Sequence, residues 1–472
     1  MVCRILTGHE INNCGSILLM SARASSPLSS AKRSKDMRTR IRVMLFAALC
    51  LSIPLSQAIV PKPAEEQSEP IAIIGAVIHV GDGSVITDGV MAFDEGVITY
   101  VGTDANRPDF FSHQLIDVQG AHVYPGFVLP NSTLGLSEIA NLRATNDVVE
   151  EGDINASIRS AIAYNTDSEL IPTFRFNGIL TAQIAPQGGL ISGRSSVMNL
   201  DGWNWEDALL AENGGMHMHW PSRTRRERND ITGQFETVDN EDYAHQTQLL
   251  HSLFQNAVSY TGTPLNLNLQ AMAPLFTGDA KLFIHANDAR TIVSSVQFAS
   301  SYGVQEIVLV GGRDAMKVKD LLLSESVAVV YESVHSLPGR EWYDVDEPYK
   351  VPFQLHEAGI LVGIGGGETA LDSQRNLPFF AGTAAAYGLD RETALAMVTQ
   401  HNAEILGVDD QVGTLEVGKN ATFFVSVGDA LDMRTSQVQE AFVQGRLIDL
   451  FGTQQELYQR YYERYSNQPL EQ

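Results

Sequence analysis

Apolar positions fall into two rhythms along the chain. From Ile71 they come in short runs broken by tight turns, and Ile71–Val80, Val90–Asp94, Val97–Val101, Leu115–Val118 and His122–Tyr124 read as strands, with Asp94-Glu95-Gly96 as a turn. Ala421–Val427, Val438–Val443 and Arg446–Leu450 repeat that rhythm near the other end. Between these flanks, continuous apolar runs alternate with helical spacing. Lys281–Ile284, Glu306–Val310, Val327–Tyr331 and Ile360–Ile364 are predicted strands. Ala289–Tyr302, Ala315–Leu323, Val351–Ala358, Pro378–Tyr387 and Arg391–Leu406 are predicted helices.

Unbroken apolar strands separated by amphipathic helices imply parallel strands buried on both faces. Residues 125–280 leave space for about four more such units by the usual length of a strand–helix repeat. The expected fold is therefore α/β: a (β/α)8 TIM-type barrel with a small composite β-sandwich built from the N- and C-terminal flanks. A doubly wound sheet is the alternative architecture. The expected division is an upstream extension and leader over 1–58, sandwich over 59–124, barrel over 125–408, sandwich again over 409–450 and a tail over 451–472.

The N-terminal segment carries an export signal pattern. Arg38, Arg40 and Arg42 precede the apolar run Val43–Pro54, and Ser56-Gln57-Ala58 supplies small residues for cleavage after Ala58. Met37 is an alternative start, and the expected location is the periplasm. The apolar run is too short for a comfortable membrane span. Cys3, Cys14 and Cys50 all lie in the first 50 residues, so a disulfide or thiolate metal site in the rest of the chain is excluded. The net charge of −24 gives no footprint for nucleic acid or an anionic membrane. The expected partner is a small molecule, with a homo-oligomer or pairing with a related chain as the macromolecular possibilities.

In a barrel the chemistry sits where strands end. His285 follows Ile284, Gly311-Gly312-Arg313 follow Val310, Glu332 follows Tyr331, and Gly365-Gly366-Gly367-Glu368 follow Ile364. Glu332 and Glu368 are the candidate catalytic residues, to orient an amine or act as general base. His285, Arg313, Asn131, Gly312 and Gly367 are the candidate substrate-binding residues, with the Arg313 fork suited to a carboxylate. The adjoining glycines are expected to leave room for the ligand. His217-Met218-His219 suits a metal if it lies on a strand, where both rings share a face. Its Gly-rich and Pro-containing surroundings also read as a loop or strand edge. Arg223–Arg228 reads as a solvated helix face.

Several stretches resemble the amidohydrolase superfamily, near the imidazolonepropionase and prolidase-like branch. They are IAIIGAVIHVGDGS at the first flank, VQGAHVYPGF over Val118–Phe127, Ile284-His285-Ala286, and TQHNAEILGVDDQVGTLEVGKNATFFV over Thr399–Val425. The resemblance spans roughly 71–450 and implies hydrolysis of a non-peptide carbon–nitrogen bond in a small amide, cyclic amide or dipeptide. It also implies divalent metal held by strand-end ligands. His285 matches the strand 5 ligand, but Pro130-Asn131-Ser132-Thr133 stands in place of the strand 1 His-x-His. Gly311-Gly312 stands at the strand 6 position, and Gly367 near the strand 8 Asp. The implied cofactor is thus none, or one weakly held divalent metal, zinc first, on His285. The alternative is a catalytically silent member that binds a small ligand or supports an active paralogue.

Overall fold

A computed structural model of the chain describes residues 62–139, 142–229, 233–340, 342–367 and 371–466. The leader read over 37–58 lies outside these residues, as does Glu368. The described elements belong to one compact unit, residues 59–472.

The first flank supplies β1 (Ile71–His79), β2 (Val85–Asp94), β3 (Val97–Thr103), β4 (Gln114–Asp117) and β5 (His122–Pro125). Gly126 then turns the chain directly into β6 (Phe127–Ser132), the first barrel strand. The barrel sheet continues with β7 (Ile179–Ile184), β8 (Ile191–Asn199) and β9 (Leu209–His219). A separate ribbon follows, β10 (Thr224–Arg228) and β11 (Phe235–Asp239). The barrel resumes with β12 (Leu282–Ala286), β13 (Ile307–Gly311), β14 (Ala328–Tyr331) and β15 (Val362–Ile364). The last flank gives β16 (Phe423–Ser426), β17 (Val438–Val443) and β18 (Arg446–Leu447).

The two flanks make one eight-stranded sheet. Its centre is the antiparallel pairing of β16 with β5, so the C-terminal strands return to the N-terminal ones as expected. Phe93, Phe423 and Phe442 pack edge-on and stacked in its core, with ring centroids 4.7 to 5.4 Å apart. Asp201, buried completely, ties this sheet to the barrel by accepting from Arg175 at 3.1 Å and pairing with Arg446 of β18 at 3.4 Å.

The second eight-stranded sheet is the nearly closed TIM-type barrel, in the order β15-β14-β13-β12-β9-β8-β7-β6. Its second half matches the strand–helix alternation read from the sequence. Its first half has the four strands that length allows but not four strand–helix units, because β8 runs antiparallel to both β7 and β9. The link between β7 and β8 is residues 185–190, with Gly188 and Gly189 at positive φ. A parallel crossover needs a dozen or more residues, so so short a link permits only a hairpin.

Closure between β15 and β6 also departs from simple pairing. The predicted helix Arg391–Leu406 is two helices, Arg391–Ala396 and Gln400–Leu406. At the break, the carbonyls of Met397 and Val398 accept from Ile364 and Val128, one on each seam strand. The buried Asn402 amide then donates to Val128 at 2.8 Å and to Ile364 at 2.9 Å. A Cβ on Gly363 would stand 1.9 Å from Asn402 Oδ1, so the glycine makes the approach possible. The tail read over 451–472 contains an exposed helix, Thr453–Ser466.

Candidate active site

The C-terminal ends of the parallel strands converge on a cavity of about 400 Å³. It is lined by Asn131, His219, Trp220, His285, Glu332 and Gly367, with Asn287, Gly311 and Gln374 among the other walls. This volume suits a small molecule.

Asn131 ends β6 with φ of +51°, a conformation Asn tolerates better than most residues. That turn aims its groups at two other strands. Its backbone N–H donates to Gln183 Oε1 of β7 at 2.9 Å, and its Nδ2 donates to Glu332 Oε1 at 2.9 Å. Beside it, Ser132 donates to Gln374 Oε1 at 2.7 Å. Glu332 is buried, so the Asn131 amide both offsets desolvation of the carboxylate and fixes its direction.

His217 and His219 occupy the last turn of pleat on β9, not a loop. Both rings share one face while Met218 packs in the core on the other. Ser195 Oγ stands 3.1 Å from the Gly215 carbonyl, to which it donates, and 2.9 Å from His217 Nε2, with which it is hydrogen-bonded. On its other side His217 Nδ1 is hydrogen-bonded to His285 Nε2 at 2.9 Å. His285 lines the cavity. Burial lowers His217 to about 3, with His219 adding to the effect, and lowers His219 to about 4. Burial, then the neighbouring His219 and His217, hold His285 well below the usual histidine range. All three are neutral near pH 7.

The metal implied by the resemblance does not fit the described residues. The His219 and His285 rings stack at 4.0 Å with planes 22° apart, so their in-plane lone pairs point along neighbouring planes and not at one ion. His285 Nε2 and His217 are committed to each other. Among the described residues no group of three or more His, Cys, Asp or Glu side chains is placed to hold a metal ion.

Of the strand-end glycines, Gly367 leaves the room expected, with no atom nearer than 3.7 Å to where its Cβ would stand, while Gly311, Gly365 and Gly366 do not. A Cβ on Gly311 would meet Asn287 Oδ1 at 2.7 Å, one on Gly365 would meet Glu332 Cγ at 2.8 Å, and one on Gly366 would meet Gln374 at 2.6 Å. The space that side chains would take at these positions is filled by Asn287, Glu332 and Gln374.

The structure thus brings together His285, Asn131, Glu332 and Gly367. Gly312 is set back: its Cβ direction faces Val329 and Leu309, and Gly311 lines the cavity in its place. Arg313 lines an adjoining cavity of about 360 Å³ with His335, Ser336 and Asn376, and Glu332 and Gly367 form the wall common to both. Sequence reasoning missed Gln183, Ser195 and Gln374, and singled out His217 only as a candidate metal ligand. Three polar atoms of the main cavity's residues, Asn131 Oδ1, His219 Nε2 and Trp220 Nε1, are buried without a hydrogen-bond partner among the described residues.

A model of the amidohydrolase family matches residues 272–448. An amidohydrolase structure from Thermotoga maritima MSB8 is 19% identical with a TM-score of 0.69, covering 80% of this chain and 99% of its own. A prolidase solved with N-methylphosphonate-L-proline is 16% identical with a TM-score of 0.50, covering 80% and 99%. An adenosine deaminase from Xanthomonas campestris with bound zinc is 14% identical with a TM-score of 0.50, covering 86% and 99%. At these identities the likeness is one of fold. Comparison with curated protein sequences finds no match. The chain is thus similar to the amidohydrolase family over residues 272–448 and shares its fold with these structures.

Proposed function

We propose that this chain is an exported amidohydrolase-type hydrolase of a non-peptide carbon–nitrogen bond, acting on a small amide, cyclic amide or dipeptide with a degenerate metal site. The observation that carries the reading is Glu332, a buried carboxylate held by Asn131 at the barrel mouth beside the neutral His285. Glu332 accepts a proton from water as the water oxygen attacks the substrate carbonyl carbon. The carbon–nitrogen bond then breaks, the nitrogen leaves with that proton, and the carbonyl fragment leaves as a carboxylic acid. The neutral His285 ring hydrogen-bonds the substrate or the water from the cavity wall and orients it.

A second reading is favoured by the filled glycine positions: a silent family member that binds the same class of ligand without turnover, or supports an active relative. Release of amine from a panel of small amides, lactams and dipeptides separates the two. Turnover that falls by roughly 10²–10⁴ in Glu332→Gln supports the hydrolase, that being the usual worth of a general base. Ligand-dependent stabilisation with no product supports the silent binder. Neither turnover nor stabilisation across the panel contradicts both. The export component is tested separately, by sequencing the N-terminus of the secreted protein.

A further inference from the structure

The ribbon of β10 and β11 belongs to neither large sheet. Nine of its ten strand residues are exposed, and none is buried. An isolated two-stranded hairpin is marginal in water, because it has no apolar face to bury. The stretch Arg223–Arg228, read from sequence as a helix face, is thus a β-strand with both of its faces in solvent. Its root is firmly placed: Asn240 donates from its backbone to Arg223 and from its side chain to Ser222, each at 2.8 Å. Arg223 lies over the Tyr243 ring at 4.6 Å. Ser222 is itself a wall residue of the candidate active site, so the ribbon springs from the rim of that cavity.

We infer that this ribbon is a docking arm for a second copy of the same chain. The register puts Thr224 opposite Asp239, Arg226 opposite Thr237 and Arg228 opposite Phe235, so these six share one face. Arginines line one strand of that face, while an aromatic ring and a carboxylate line the other. A two-fold axis along the ribbon lays β10 of one copy over β11 of the other. Each Arg228 then meets a Phe235 ring, over which Arg226 of that ring's own chain already lies at 5.6 Å, and each Arg226 stands over a Thr237 with Asp239 on the diagonal, twice over. Such self-complementarity is what an isologous dimer requires. The opposite face, where Glu227 stands across from Glu236, would set like charges together under the same operation. Phe235 is 63% exposed, an apolar area the pairing would cover. The net charge of −24 makes unspecific association between two copies repulsive, against which the cationic strand β10 stands out.

This inference does not depend on the hydrolase reading, since its readout is mass and not activity. Light scattering coupled to size-exclusion chromatography, run on the full mature chain across protein and salt concentration, tests it. The expected result is a dimer that loosens as salt rises. Arg226→Glu with Arg228→Glu should weaken it by roughly tenfold or more, and adding Asp239→Arg should restore it, since the charges are then exchanged. These positions are exposed, so circular dichroism should be unchanged. A monomer at every concentration overturns the inference, as does a dimer indifferent to both variants.

Discussion

Asn131 and Glu332, 201 residues apart in sequence, meet at 2.9 Å across the barrel mouth, with the amide donating to the carboxylate. The contact joins the end of β6 to the end of β14 and sets the direction of the carboxylate on which the chemistry rests. Asn131→Asp keeps the shape and the tolerance for positive φ but replaces a donor with a second carboxylate. The variant should lose about 1.5–3 kcal/mol at neutral pH, the worth of a hydrogen bond to a charged group. The loss should shrink toward acid, where one of the paired carboxyls takes a proton. Urea unfolding at several pH values checks this, and a loss that does not vary with pH would exclude the pairing.

The barrel seam makes a second prediction. Asn402 is fully buried and satisfies one carbonyl on each side of the gap between β15 and β6. Asn402→Leu should cost about 2–6 kcal/mol, because two buried acceptors lose their donor at about 1–3 kcal/mol each. Gly363→Ala should be similarly harmful, since the new methyl would displace the same amide. Denaturant midpoints of the two variants measure it.

The pH dependence follows from the buried histidines. His217 and His219 titrate at about 3 and about 4 in the folded chain, well below the unfolded value of 6.5. The unfolded chain therefore binds protons that the folded one refuses as pH falls below 6.5. Their contribution to stability is complete above that value and is lost as pH drops toward the folded values. Each such histidine contributes a slope of about 1.4 kcal/mol per pH unit through that window. His285 adds in the same direction. Unfolding free energy between neutral and mildly acid pH should fall steeply, and His217→Gln should flatten the slope by one histidine's share.

Asp201 supports the junction of sheet and barrel. It is a fully buried carboxylate between Arg175 and Arg446. Asp201→Ala should cost about 3–5 kcal/mol, because it strands buried guanidinium charge. A loss below 1 kcal/mol in chemical unfolding would mean that the arginines find other partners.

Much of this architecture was legible from residues alone, and the reasons for success and failure are physical. The strands of the second half were readable because parallel strands covered on both faces are unbroken apolar runs. The β7–β9 meander was not, because β7 is buried along its whole length and looks like a parallel strand. The short link with Gly188-Gly189 was the signal that the chain turned back. The histidines of β9 were obscured by flanking Gly214-Gly215 and Trp220-Pro221, although their spacing of two with methionines between them fits a half-buried strand. The break in 391–406 carries no sequence mark, since its cause is the barrel seam. At the site, reading strand ends found His285, Glu332 and Gly367. It could not find Gln183, Ser195 and Gln374, which are polar residues made important by what lies across the barrel. Nor could it show that Gly311, Gly365 and Gly366 yield their space to neighbours.

The central claim is that a small amide binds at the barrel mouth against Asn131, His285 and Glu332. Calorimetric titration of the amide that most stabilises the parent protein tests it, with Glu332→Ala and His285→Ala run alongside at matched folding. The account predicts one site per chain, with affinity reduced by roughly tenfold or more in each variant, the worth of about 1.4 kcal/mol. Unchanged affinity in both folded variants would place the ligand elsewhere and contradict the account.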